Sequence, residues 1–208
     1  MNQAIFEAIS TGDAKQTPKL IQQDLDAGIA ANIILTESMI PAMRHIGDLF
    51  ARNEVYVPQM LIAARAMNAG LALIEPVLAD TGHQPLARVC IGTVKGDLHD
   101  IGKNIVAMML KGAGFEVMDL GTDCDAATFQ EAVDEGAQAI CLSALLTTTL
   151  PYMKQVINHF SGNNQVRIII GGAPVTQAYA DEIQADGFGG NAVEAVYAVA
   201  RSLGIAMR

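Results

Sequence analysis

The run ARVCIGTVKGDLHDIGKNIVAMMLKGAGFEVMDL, residues 87–120, reads as strand, loop, helix and strand. Short apolar, β-rich runs stand at Ala87–Gly92 and Phe115–Leu120, and between them Asp100–Lys111 carries its apolar residues at helical spacing. The same alternation continues outward. Strands are expected at Ala137–Ser143 and Val166–Gly171, with a weaker one near Ala185–Gly189. Helices are expected at Ala126–Glu135, Leu150–Phe160, Thr176–Ile183 and Ala192–Leu203. Five β-α units in ~120 residues predict an α/β doubly wound parallel five-stranded sheet with helices on both faces. Each crossover should be right-handed.

Upstream the pattern is helical throughout. Leu20, Ile21, Leu25 and Ile29 recur at helical spacing, and Ile33 to Ile46 reads as a further amphipathic helix. Pro58 to Leu78 is another, with Leu61, Ala64, Met67, Leu71 and Ile74 along one stripe. A proline suits the first turn of a helix, where its missing N–H costs nothing. Four short-linked helices can bury their stripes only against one another, so this half is expected to be an all-α four-helix bundle. The stretch ADTGHQP, with Gly82 and Pro85, breaks the pattern and reads as a linker. The expected domains are therefore 1–84 and 85–208. Met39, Met43, Met60 and Met67 fall in the helical half, where methionine serves as flexible core filling or as a cofactor surface.

Composition limits the function. The 208 residues hold 13 Lys+Arg against 22 Asp+Glu, a net charge of −9, with 51% hydrophobic and 17% charged residues. The charged share lies below the globular norm of about 25%, which suits a large core and an apolar cavity and excludes a disordered tail. No basic stripe offers itself to phosphates, so no nucleic-acid partner is expected. The start, MNQAIFEAIS, lacks the basic and apolar regions of a secretion signal. No uninterrupted apolar run approaches the roughly 18 residues of a membrane span. A soluble, cytoplasmic protein is expected. Cys90, Cys124 and Cys141 are dispersed without a CxxC pair, which argues against disulfides and a thiolate zinc site. Cys90 and Cys141 sit in apolar runs as small hydrophobes.

In a doubly wound sheet, ligands collect beyond the carboxyl ends of the strands. The first such loop, Gly92 to Gly102, carries neither GxGxxG nor GxxxxGK[ST]. It offers His99 between two carboxylates, Asp97 and Asp100. An imidazole can ligate a metal through one nitrogen while the other donates to a carboxylate. One histidine cannot hold a bare ion, which needs three or four ligands, and His45, His83 and His159 form no HxH or HxxxH pair with it. Two readings stand on these residues: a ligand to a metal already held by a macrocycle, or a surface histidine bonded to Asp97. Gly171-Gly172, taken alone, is an ordinary strand-to-helix turn.

The run Asp97-Leu98-His99-Asp100-Ile101-Gly102, with Ser143-Ala144-Leu145 after the third strand and Gly171-Gly172 after the fourth, resembles the B12-binding domain family in its DxHxxG, SxL and GG elements. The helical half, with Tyr56-Val57-Pro58-Gln59-Met60-Leu61 and Ala64-Arg65-Ala66-Met67, resembles the cap that precedes this Rossmann-like fold in methionine synthase and in small corrinoid proteins of methyltransferase systems. The resemblance implies that His99 is the lower axial ligand of cobalt in a base-off, His-on cobalamin. Asp97 and Ser143 would form the relay behind it. Gly96, Leu98, Asp100, Ile101, Gly102, Leu145, Gly171 and Gly172 would line the cofactor site, with Ser143, Thr147 and Ala192 near the nucleotide tail. Tyr56, Met60 and Met67 would cover the upper corrin face.

The implied function is that of a methyl carrier, a cofactor-carrying subunit with no substrate site of its own. Cob(I)alamin would accept a methyl group on a substrate:corrinoid methyltransferase. The resulting methylcobalamin would pass it on at a second methyltransferase, to tetrahydrofolate or a thiol, and a reductive activase would restore the carrier. The alternative is a cobalamin-responsive sensor or regulatory protein, which usually adds a DNA-binding or signalling module. A mutase subunit is a third reading, but mutase B12 domains normally pair with a barrel.

Overall fold

The computed structural model describes residues 1–80, 84–163 and 165–206. Gly82 and His83 of the expected linker lie outside them. The chain divides into two compact units, Met1–Gln84 with Gly112–Gly114, and Pro85–Lys111 with Phe115–Arg208.

The first unit is helical. Helix α1 (Gln3–Ser10) is capped by Asn2, whose side-chain oxygen accepts from the Ala4 N–H at 3.0 Å. Helix α2 (Gln16–Asp26) buries Thr17 and Ile21. It stops before Ile29, which is 39% exposed and does not continue the stripe expected of it. Helix α3 (Ala31–Ile34), a π-helical segment (Leu35–Met39) and α4 (Ile40–Ala51) follow without interruption, where the sequence suggested one plain helix. Pro41 supplies the reason: it has no N–H for the carbonyl four residues back, and the wider π turn before it absorbs the break. Helix α5 (Val57–Asp80) buries Met60, Ala63, Ala64, Met67, Leu71, Ile74 and Leu78. Its segment Val57–Leu78 is long and apolar enough to cross a membrane by length and composition. The buried stripe accounts for that apolar character, since α5 packs on α1, α2 and α4.

The second unit alternates β1 (Arg88–Thr93), α6 (Ile101–Gly112), β2 (Glu116–Asp119), α7 (Ala126–Asp134), β3 (Ala139–Ser143), α8 (Leu150–His159), β4 (Arg167–Gly171), α9 (Gln177–Ile183), β5 (Gly187–Gly189) and α10 (Ala192–Ser202). The strands form one parallel sheet in the order β2-β1-β3-β4-β5. Cys90, Ile140, Leu142, Ile168 and Ile170 enter the core cluster on one face, with Phe129, Met153 and Ile183 of the covering helices. Val89, Ile91, Cys141 and Ile169 are buried as well, as expected of strands covered on both sides. The three thiols are free and buried. Burial pushes Cys90 up to about 12 and Cys124 up to about 11, and raises Cys141 too, so all three stay protonated core groups.

The order reverses between β1 and β3, and the crevice beyond their carboxyl ends is where this fold binds ligands. The register puts Thr93, Ser143, Gly171 and Gly189 in one row across the ends of β1, β3, β4 and β5. The loops that follow β1 and β3 carry the site.

Candidate cofactor site

The loop after β1 turns at Gly96, whose φ of +85° suits glycine. Asp97 is fully buried, although it lies two residues from His99, whose side chain is 52% exposed. Burying a carboxylate is costly unless its oxygens are bonded, and here they are. Asp97 Oδ1 lies 2.7 Å from His99 Nδ1 and accepts from the His99 N–H at 3.1 Å. Asp97 Oδ2 accepts from the Leu145 N–H at 2.7 Å, the Leu146 N–H at 3.1 Å and the Thr149 hydroxyl at 3.0 Å. Burial by itself raises the Asp97 carboxyl. The bonds from the Leu145 N–H, the His99 ring, the His99 N–H and the Leu146 N–H outweigh it and hold the group well below the usual carboxylate range.

An ionised Asp97 can only accept, so His99 Nδ1 must carry its proton toward it. That fixes the tautomer and leaves the lone pair on Nε2, the outer nitrogen of a half-exposed ring. From the other side, the Thr93 hydroxyl donates to the His99 carbonyl at 2.8 Å. The Gly96 N–H donates to Asp123 Oδ1 at 2.7 Å, and the Asp123 N–H donates to the Asp97 carbonyl at 3.0 Å.

The hydroxyl behind Asp97 belongs to Thr149, not to Ser143. Ser143, half-buried at the end of β3, makes no bond to Asp97 among the described residues. The resemblance implies a relay of Asp97 with Ser143; the hydroxyl that the structure sets on Asp97 is that of Thr149. The physical reason is the turn Leu145–Thr149. It folds the two N–H groups and the Thr149 hydroxyl onto one carboxylate oxygen, while the Ser143 residue stays in the strand row. Thr149 was one threonine among three in sequence, and only its burial, 8% exposed against two open neighbours, marks it out.

Around His99 the surface is apolar. Leu98 is 73% and Ile101 71% exposed, and Leu145 and Leu146 are exposed beside the N–H groups that bind Asp97. Asp100 is exposed and accepts from Asn104 Nδ2 at 3.1 Å. A Cβ on Gly102 would meet nothing within 4 Å. Beyond β4, Gly172 has φ +127°, and a Cβ there would stand 1.9 Å from the Ala144 carbonyl oxygen. Gly171 lies in the strand row, Thr147 is exposed on the β3–α8 loop, and Ala192 is buried at the start of α10. In the helical unit Tyr56 is 62% exposed, whereas Met60 and Met67 are buried packing residues. Of the three, Tyr56 alone presents a free side chain. Among the described residues no group of three or more His, Cys, Asp or Glu side chains could hold a bare metal ion.

The B12 binding domain model matches residues 87–199, and a second B12 binding domain model matches residues 1–75. The chain therefore belongs to the B12-binding corrinoid protein family. It is 39% identical over 205 residues to the trimethylamine corrinoid protein of Methanosarcina barkeri, covering 96% of this chain and 94% of that one. It is 36% identical to corrinoid protein DSY3155 of Desulfitobacterium hafniense (strain Y51), covering 95% of each. Among solved structures, the methanol:cobalamin methyltransferase complex of Methanosarcina barkeri superposes with a TM-score of 0.83 at 28% identity, over 96% of this chain and 78% of that one. A cobalamin-binding protein from Desulfitobacterium hafniense DCB-2 gives 0.76 at 28% identity, over 96% and 97%.

The residues fit a corrinoid. A macrocycle that brings its own four nitrogens needs one further donor, and the exposed Nε2 of His99 is one. Leu98, Ile101, Leu145 and Leu146 offer apolar surface to the ring, and Gly102 leaves room beside it.

Proposed function

We propose that this chain is a cytoplasmic methyl-carrier corrinoid protein that holds its cofactor base-off with His99 as the lower axial ligand. One observation carries the reading: a half-exposed imidazole whose inner nitrogen is locked by a fully buried carboxylate, so that its outer nitrogen faces solvent as a free donor. When bound, the corrinoid supplies a cobalt centre that takes up a methyl group and gives it away. His99 would hold the cobalt. Leu98, Ile101, Leu145 and Leu146 would seat the ring and exclude water from its lower face, and Ser143, Thr147, Gly171, Gly172 and Ala192 would take the tail.

The proton on His99 Nδ1 is what the chain controls. Asp97, anionic and held by four other donors, the N–H groups of His99, Leu145 and Leu146 and the Thr149 hydroxyl, strengthens the imidazole as a donor by drawing on that proton. Tyr56 is the cap side chain proposed to reach the upper face; Met60 and Met67 would support it from the core.

The proposed partners are a substrate:corrinoid methyltransferase, a second methyltransferase acting on tetrahydrofolate or a thiol, and a reductive activase. Relatives named for trimethylamine, and a structural neighbour named for methanol, define the donor panel. Similarity to proteins named as corrinoid proteins, and to a methanol:cobalamin methyltransferase complex, favours the carrier reading over a sensor. The test is to load the protein with cobalamin and record its visible spectrum. A base-off spectrum that changes in His99→Ala supports the reading. An unchanged base-on spectrum, or no effect of His99→Ala, sinks it.

A further inference from the structure

Lys103 sits where a lysine is disfavoured twice. It lies in the first turn of α6, where the helix dipole opposes a cation, and its side chain is 2% exposed. Its Nζ bonds Asp119 Oδ1 and donates to Asn104 Oδ1 at 2.6 Å. Asp119 closes β2, and the same Oδ1 accepts from the Gly121 N–H at 3.0 Å. Asn104 in turn holds Asp100, the residue after His99.

These contacts form one line: Asp100, Asn104, Lys103, Asp119, Gly121. The far part of the same β2–α7 connection returns to the other flank of the His99 loop. There Asp123, at φ +57°, accepts from the Gly96 N–H and donates its own N–H to Asp97. The loop is thus gripped on both sides by one connection, through Asp123 before His99 and through Lys103 and Asp119 after it.

We propose that Lys103 is a positioning residue for His99, setting through Asp119 and Asn104 how firmly the imidazole holds cobalt. The inference rests on the axial-ligand reading above. Asp97 fixes the inner nitrogen of the ring. The position of the ring along the line to the metal also depends on the backbone from Leu98 to Ile101, whose far end belongs to α6. A directional ion pair between a buried lysine and a half-exposed carboxylate ties that end of the helix to the sheet, and such a pair is geometrically specific even where it adds little stability. An apolar residue would satisfy packing at this site without fixing the helix to Asp119.

The experiment loads the full chain with cobalamin in the cobalt(II) state and records its electron paramagnetic resonance spectrum, with histidine labelled by nitrogen-15. Coordination by His99 changes the three-line nitrogen splitting to a two-line pattern. Lys103→Gln and Asp119→Asn should each shift the population about fivefold toward histidine-off, the scale of one lost hydrogen bond, while Lys103→Arg restores part of it. Should Lys103→Gln fail to fold, Asp119→Asn, at a half-exposed position, carries the test. A two-line pattern as strong in the folded variants as in the wild type overturns the inference alone. Its absence from the labelled wild type overturns the axial reading and this inference with it.

Discussion

Asp97 is fully buried while His99, 2.7 Å away through Nδ1, keeps 52% of its side chain exposed. The buried member is therefore the fixed one, and the exposed member is the one free to act. Asp97→Asn keeps the volume but replaces an acceptor-only group by one with N–H donors facing other donors. It should destabilise the protein by about 2–4 kcal/mol, read by urea unfolding of the apo form. It should also weaken histidine ligation in the loaded protein. Unchanged unfolding would show that Asp97 is not ionised in the native state.

The depressed carboxyl of Asp97 gives stability a definite pH dependence. A group lowered in the folded state stabilises it fully above its unfolded value of about 3.9, and that stabilisation drains away as the pH falls from there toward the folded value. Wild type should lose stability steeply below about pH 4, and Asp97→Asn should show a shallower slope over the same range. Parallel curves would rule Asp97 out as the source.

Thr149 and Ser143 separate cleanly. Thr149→Val removes the hydroxyl that reaches Asp97 Oδ2 and should cost about 1–2 kcal/mol in the apo protein, with Thr149→Ser recovering most of it. Ser143→Ala, without a bond to Asp97, should leave apo stability nearly unchanged and act only on cofactor affinity. Equal effects of Thr149→Val and Ser143→Ala on unfolding would contradict the geometry.

Two glycines answer opposite questions. Gly102 lies in α6 with open space before its missing Cβ. Gly102→Ala should raise apo stability by about 0.4–1 kcal/mol and lower cobalamin affinity, because the added methyl occupies room proposed for the ring. Gly172→Ala, whose Cβ would stand 1.9 Å from the Ala144 oxygen at φ +127°, should cost about 3 kcal/mol or more whether or not cofactor is present. Equilibrium unfolding and cobalamin titration, run on both variants, separate room for a ligand from room for the backbone.

The α/β alternation was legible because the inner strands β1, β3 and β4 are buried on both faces and the helices carry one apolar face, so the hydrophobic period switches visibly between them. Strand ends moved by a residue or so: β1 runs to Thr93 and β5 shrinks to Gly187–Gly189. The π segment before Pro41 and the early stop of α2 escaped notice, since both depend on backbone bonding that periodicity does not record. His99 and Asp97 were legible as a local pair, two residues apart on one loop. Thr149 was not, because it meets Asp97 across 52 residues of chain, by the turn that follows β3. Nothing in the chain order marks Lys103; its burial and its bond to Asp119 come only with the fold. Short-range chemistry is written in neighbouring residues, so the chain order alone could declare the imidazole and its carboxylate. The order of the strands and the burial of their ends decided which distant hydroxyl and which distant carboxylate complete the site, because only folding brings those groups within a hydrogen bond of each other.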